Sequence, residues 1–286
     1  MNLERRHTDR YSPRATAMLP ATLLALAVLA GCSTVGAPTS PADVPEIRAG
    51  SGYLVGYLPR KELPDSLALL PPPPAAGSAA QAADEEAYRS TRALRDTPRW
   101  AIAAGDAELK FPKAAEAFSC ALGVEISQEA TPNLNMLLRR TLADAGLATY
   151  KAKDHYKRQR PFAQFNAGTC APQEEAMLRN DGSYPSGHAA VGWAWALVLS
   201  ELAPERADAL LQRGEAFGQS RVVCGVHWPS DVRAGQVVAA GAVARLHADP
   251  VFLAQMDGAR KEIARARAAG AAPKRDCQAE AQVLKR

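Results

Sequence analysis

The stretch GSYPSGHAAVGWAWALVLSEL, Gly182–Leu202, decides the fold. Its first part is a turn: Pro185 and Gly187 permit a tight bend, and Ser186 stands where a helix N-cap belongs. From Gly187 to Leu202 the run is apolar, rich in Ala and Trp, with a single acid near its end. It is too long for a strand and has no polar face, so it is expected as a buried helix.

The flanking sequence supplies further helices. On the C-terminal side Pro204–Gln219 and Pro229–His247 are expected as two more, each with a proline near its start, where a missing N–H costs nothing. On the N-terminal side Asp84–Leu109 carries Ala, Tyr, Leu, Trp and Ile at three-and-four spacing, with acids at its start. Pro112–Leu122 opens with another proline, and Thr131–Pro132 begins a long segment through Met136, Leu137, Leu138, Leu142 and Leu147. Alternating strand patterns and glycine-rich phosphate loops are missing. The expected fold is all-α, a single helical-bundle domain without internal repeats.

The N-terminus has a different composition. A basic stretch ends at Arg14, and Ala17–Ala30 (AMLPATLLALAVLA) is almost wholly apolar but short for a spanning helix, as in the core of a signal peptide. It runs into Leu29-Ala30-Gly31-Cys32, which resembles a bacterial lipobox, with Cys32 as the lipidated residue. The expected organisation is a lipoprotein signal peptide over 1–31, a flexible tether over 32–48, and a catalytic domain over 49–286. That places the protein in the periplasm, held to the outer membrane by its N-terminal lipid alone. The run Pro71–Pro74 is an extended polyproline segment. Its apolar neighbours Leu67, Leu69 and Leu70 make it a strap laid across the domain surface.

The chain has 286 residues, with 34 basic and 30 acidic side chains and a net charge of +4. Four of the arginines and two of the acids lie in residues 1–31, leaving 30 basic against 28 acidic, or +2, for the remainder. So even a balance argues against a nucleic-acid partner, which needs a concentrated basic surface. Of the five cysteines, Cys120, Cys170, Cys224 and Cys277 remain once Cys32 is set aside. An even number in an exported protein suggests two disulfides, with three pairings open. The pairing expected here is Cys120–Cys170 with Cys224–Cys277. No cysteine or histidine spacing is that of a metal site.

Three short segments carry the chemistry: KDHYKRQRP (Lys153–Pro161), PSGH (Pro185–His188) and SRVVCGVHWPSD (Ser220–Asp231). Arg160 and Arg221 are fork-shaped donors suited to a tetrahedral oxyanion, and Lys153 adds a point charge. Ser186 and Gly187 lie where a helix begins, so their backbone N–H groups are free for an anion. Together these five residues form a phosphate cradle that needs no metal and no cofactor. His188 and His227 abut its walls, and Asp231, four residues after His227, is within reach of the imidazole's far nitrogen.

The spacing KxxxxxxRP, PSGH and SRxxxxxHxxxD resembles the superfamily that holds type 2 phosphatidic acid phosphatases, bacterial class A acid phosphatases and vanadium haloperoxidases. The stretches LLPPPPAAGS, HYKRQRPF, GSYPSGH and SRVVCGVHWPSDV are similar to the class A non-specific acid phosphatases in particular. One departure is Ala189, where that branch usually has Thr. The resemblance implies hydrolysis of small phosphate monoesters through a covalent phosphohistidine, with transfer to alcohols as a side activity. His227 would be the nucleophile, Asp231 its orienting acceptor, and His188 the general acid and then base. Lys153, Arg160, Ser186, Gly187 and Arg221 would hold the phosphate oxygens. The alternatives on the same motif are a lipid or pyrophosphate phosphatase, a vanadium-dependent haloperoxidase, or a non-enzymatic phosphate-binding lipoprotein.

Overall fold

In a computed structural model of the chain, residues 36–285 are described. The expected signal peptide and Cys32 lie outside them. Among the described residues the regular structure is helical, and the sole β pairing is an isolated bridge between Glu46 and Leu54. The all-α expectation holds. The longer helices are α1 (Ala79–Thr91), α2 (Pro98–Gly105), α3 (Pro132–Ala148), α4 (Tyr150–Tyr156), α5 (Gly187–Leu202), α6 (Ala207–Val223), α7 (Pro229–Leu246), α8 (Pro250–Ala268) and α9 (Cys277–Leu284).

Helix α5 is the axis of the fold, packed against α3, α6 and α7. Trp195 at its middle is fully buried; its ring meets Phe111, Phe118 and Phe217, and its indole N–H donates to the Leu138 carbonyl at 2.9 Å. A buried indole keeps its polar atom satisfied in this way. Two glycines set how close its neighbours come. A Cβ on Gly192 would stand 2.3 Å from the Phe217 ring, and one on Gly235 of α7 would stand 2.4 Å from the Ser186 carbonyl oxygen. The second contact seats α7 directly on the PSGH turn.

Several expectations need correction. The segment Asp84–Leu109 is not one helix: α1 ends at Thr91, Asp96 adopts a left-handed φ of 60°, and Thr97 caps α2. Pro98 is the cause, because a proline bars the residue before it from helical geometry. Pro112–Leu122 is two single turns, Lys113–Glu116 and Ser119–Leu122. Helices α8 and α9 lie beyond His247, past the last helix expected from the sequence. The disulfides are Cys120–Cys277 and Cys170–Cys224, not the expected pairs. Cys277 opens α9, which docks beside the Ser119–Leu122 turn, whereas the chain at Cys170 returns to the end of α6, where its N–H donates to the Cys224 carbonyl. The first and last of the four cysteines pair across the fold, and the middle two pair with each other.

The N-terminal arm packs on the domain earlier than the expected tether boundary at 48. Gln128 donates to the Thr39 carbonyl, and Val44 and Leu54 are buried against Met136. Further on, the Tyr57 and Leu58 amides donate to the buried Asp144 carboxylate at 2.8 and 3.1 Å. The polyproline strap lies as expected: Leu70 is buried beside Ala148, Tyr184 and Val238, and the Tyr184 hydroxyl donates to the Pro71 carbonyl. No single helix among the described residues is long and apolar enough to cross a membrane.

Candidate active site

The three motif segments converge at one end of α5. Helix α4 closes with Lys157 at a left-handed φ of 44°, which turns the chain so that Lys153, within the helix, and Arg160, beyond it, face one cavity. Arg160 is extended, as the residue before Pro161 must be. The cavity, of about 230 Å³, is lined at its floor by Lys153, Arg160, Asp181, Gly187, His188 and His227. Tyr53, Leu109, Leu142, Tyr150, Met177 and Val191 make its apolar collar. Ser186, Arg221 and Asp231 are fully buried behind this floor.

His227 is held from both sides. Its Nδ1 lies 3.3 Å from Asp231 Oδ2 and 3.3 Å from Ser183 Oγ. Its Nε2 lies 3.0 Å from Arg160 Nη1. An arginine can only donate, so Nε2 carries the lone pair and Nδ1 the proton that points at Asp231. Burial first, then Arg160, Lys153 and Arg221, hold His227 well below the usual 6.5. These causes all favour the neutral ring.

Asp231 sits in the first turn of α7 and is saturated with donors. The Trp228 N–H (2.8 Å) and the Ser183 hydroxyl donate to Oδ2, and Arg158 Nη1 donates to Oδ1 at 2.6 Å. Arg158 in turn bridges to Asp84 Oδ2 at 2.8 Å, to Gln81 and to Ser230. Donors on both oxygens fix the orientation of this buried carboxylate.

His188, second residue of α5, has Nε2 at 2.9 Å from the Ala107 carbonyl. A carbonyl can only accept, so the Nε2 proton is committed there and Nδ1 is the nitrogen left for chemistry. Burial and then Arg221 push His188 well below 6.5, opposed by the Ala107 bond.

Of the three cations, Arg221 alone lacks a hydrogen-bond partner among the described residues. Arg221 is 0% exposed, and its Nε, Nη1 and Nη2 have no hydrogen-bond partner among the described residues. Glu174, the nearest carboxylate, is 3.7 Å from Nη2. Burial lowers Arg221 to about 10 and, with Arg160 next, Lys153 to about 8. Orphaned buried donors of this kind are costly and point to a missing acceptor. Lys153 Nζ donates to the Gly182 carbonyl at 2.6 Å, while Arg160 is spent on Asp181, Val226 and His227.

One expectation about the helix start is revised. The Ser186 N–H is not free: it donates to the Asp231 carbonyl at 2.9 Å, because Gly235 lets α7 press against the turn. Ser186 Oγ accepts the Ala189 N–H as an N-cap at 3.2 Å, which leaves its own hydroxyl proton available. The unclaimed backbone donors are the N–H groups of Gly187 and His188, which open α5 without an intrahelical acceptor. Every other residue expected at the site is brought to this one place, except Cys32, which lies outside the described residues. Four residues that the sequence does not single out join them: Arg158, Asp181, Ser183 and Asp84. Arg158 lies within the first motif, but by sequence it reads as one more surface cation.

Among the described residues no group of three or more His, Cys, Asp and Glu side chains is arranged to hold a metal ion. The PAP2 superfamily model matches residues 135–252, the span that contains Lys153 through Asp231. The chain is 49% identical over 210 residues to the non-specific acid phosphatase of Providencia stuartii, covering 73% of this chain and 85% of that one. It is 42% identical over 209 residues to the acid phosphatase of Zymomonas mobilis, covering 73% and 79%. With the non-specific acid phosphatase of Salmonella typhimurium it shares 47% identity over 181 residues, 63% of this chain and 72% of that one.

Proposed function

The chain belongs to the PAP2 superfamily and, within it, to the bacterial non-specific acid phosphatases, which are phosphoric monoester hydrolases; on that premise we propose that it works through a covalent phosphohistidine on His227, without metal. The observation that carries this reading is the tautomer of His227, with its lone pair on Nε2 at the cavity floor and its proton toward Asp231.

The phosphate of the ester enters the cavity, where the Arg221 guanidinium, Lys153, the Ser186 hydroxyl and the Gly187 and His188 amides take its oxygens. Arg160 gives up its bond to Nε2 and joins them. His227 Nε2 attacks phosphorus, forming the P–N bond as the ester P–O bond breaks. The imidazole becomes cationic, and the Asp231 carboxylate on Nδ1 balances that charge. The Nδ1 proton of His188 passes to the departing alkoxide, giving a free alcohol. Neutral His188 then takes a proton from water as its oxygen attacks phosphorus; the P–N bond breaks, phosphate leaves and His227 is neutral again. An alcohol in place of water gives phosphotransfer by the same steps. The charge that a metal would supply elsewhere comes here from Lys153, Arg160 and Arg221, which also repel a cation. The apolar collar favours small aromatic or alkyl leaving groups.

The test is acid-quenched labelling with a radioactive phosphomonoester. A label that is acid-labile and base-stable, absent from His227→Ala, and formed equally in EDTA is expected. A label that survives in His227→Ala, or turnover that EDTA abolishes and Mg²⁺ or Zn²⁺ restores, would overturn the mechanism. We further propose that the protein is exported and held to the membrane by lipid on Cys32, so that Cys32→Ser releases it to the soluble fraction with its specific activity intact.

A further inference from the structure

Asp181 is a carboxylate inside a site built for anions. It lines the same cavity as Lys153, Arg160, His188 and His227, and its side chain keeps 28% of its exposure. Its Oδ2 lies 2.7 Å from Arg160 Nη2 and 3.5 Å from Lys153 Nζ. The charged and titratable groups that face it are therefore Lys153 and Tyr150 from α4 and Arg160 from the next turn. A phosphate oxygen that takes donors from Arg160 Nη2 and Lys153 arrives at Asp181 Oδ2. Two bare anionic oxygens repel each other there, whereas an oxygen that carries a proton donates it as a hydrogen bond.

We propose that Asp181 determines specificity by accepting a hydrogen bond from the P–O–H of a monoanionic phosphate ester, and so selects the singly protonated substrate over the dianion. The proton stays on the phosphate, and Asp181 changes no bond to phosphorus. Phosphate monoesters lose that proton near a pKa of about 6. Selection of the monoanion thus favours acid conditions through the substrate, separately from either histidine. This inference rests on the cavity being the phosphate cradle.

Sulfate is the discriminating probe, since it matches phosphate in shape but has no proton to donate at pH 5. Calorimetric titration of the purified full chain at pH 5 with inorganic phosphate and with sulfate reads binding without turnover. Wild type is expected to prefer phosphate, and that ratio should fall at least tenfold in Asp181→Asn, the loss of one hydrogen bond to a charged group. Asp181→Ala should lose the preference as well, which covers a failure of the amide variant to fold. In wild type, phosphate affinity should drop as pH rises through the loss of its second proton, and in both variants that slope should flatten. An unchanged phosphate-to-sulfate ratio in variants that still bind phosphate overturns the role of Asp181 alone. A wild type that binds neither anion overturns the cradle, and this inference with it.

Discussion

Replacing Asp231 with Asn tests the nucleophile at its support. The side chain is 0% exposed and every contact it makes is with a donor: Trp228 N–H and the Ser183 hydroxyl on Oδ2, with His227 Nδ1 beside them, and Arg158 on Oδ1. An asparagine must turn an NH₂ toward one of these sets. Facing Arg158, it sets donor against donor in a buried place. Facing His227, it forces the ring into the opposite tautomer and puts a proton on Nε2, where Arg160 already donates. Either way the carboxylate that balances the developing imidazolium is gone. At the 3.3 Å separation of Nδ1 and Oδ2, and an effective dielectric of about 20, that interaction is worth about 5 kcal/mol. Each ~1.4 kcal/mol is tenfold in rate, so phosphorylation should slow by three to four powers of ten. Rapid-quench single turnover on p-nitrophenyl phosphate measures this step directly, with urea unfolding as the control for the fold. A rate within tenfold of wild type, in a folded variant, would refute the assignment of His227 and Asp231 as a working pair.

Three further outcomes follow from the same geometry. His188→Ala should spare p-nitrophenyl phosphate, whose leaving group departs without a proton, far more than an alkyl phosphate; equal losses on both would remove His188 from the proton donor's role. Arg158→Met strips the partner from two buried carboxylates, Asp231 and Asp84, and should cost about 3–5 kcal/mol in urea unfolding, as removal of one member of a buried ion pair does. Burial pushes Asp144 up to about 6. Its folded value stands above the unfolded carboxylate value, so it destabilises the fold above pH 6 and does so progressively less as pH falls toward 4. The urea midpoint of wild type relative to Asp144→Asn should therefore move in wild type's favour across that window, and a constant or opposite difference would show that Asp144 is not held this way.

The fold was legible where one residue pattern had a single solution. Gly187–Leu202 has no polar side, so it had to be a helix enclosed by others, and its predicted limits are those observed. Legibility failed where distant chain decides the outcome. Nothing local links Cys277 to Cys120; the pairing follows from where α9 docks. The site divides along the same line. His188, His227, Arg160 and Arg221 could be named because the order and spacing of the three motif segments single them out, although each residue alone has a plainer reading. Asp181, Ser183 and Arg158 could not, since their roles come from contacts with residues tens of positions away. The Ser186 amide shows the reverse error: a position free by its place in a helix is taken by α7, which Gly235 admits.

The geometry also bears on why such a site works in acid. The proposed chemistry needs one neutral and one protonated imidazole, yet in the empty site both are pushed well below 6.5. Burial is the largest cause for both rings, which differ in the charges that add to it. His227 has Arg160, Lys153 and Arg221 acting on it, and Arg160 donates onto the nitrogen that would attack, so its neutral form is favoured. Against His188 the largest single charge is Arg221, and Arg221 is the cation with no hydrogen-bond partner among the described residues. In the proposed cycle a bound phosphate monoanion would offset that charge and so relieve the Arg221 part of the push, though not the part due to burial, while leaving the Nε2 proton on Ala107. The added proton must then sit on Nδ1, the nitrogen free to meet the leaving oxygen. On that proposal, substrate binding would favour the protonated form of His188. In acid the proton needed for that step is at hand, and in alkali His188 stays neutral even with the phosphate in place. Arg221→Leu should break this link: His188 would hold its proton to higher pH in the free enzyme, and the alkaline limb of kcat/KM, set by loss of that proton, should move up in pH even as its maximum collapses. A profile that keeps its alkaline limb in place while losing height would mean that Arg221 binds phosphate without governing the proton on His188.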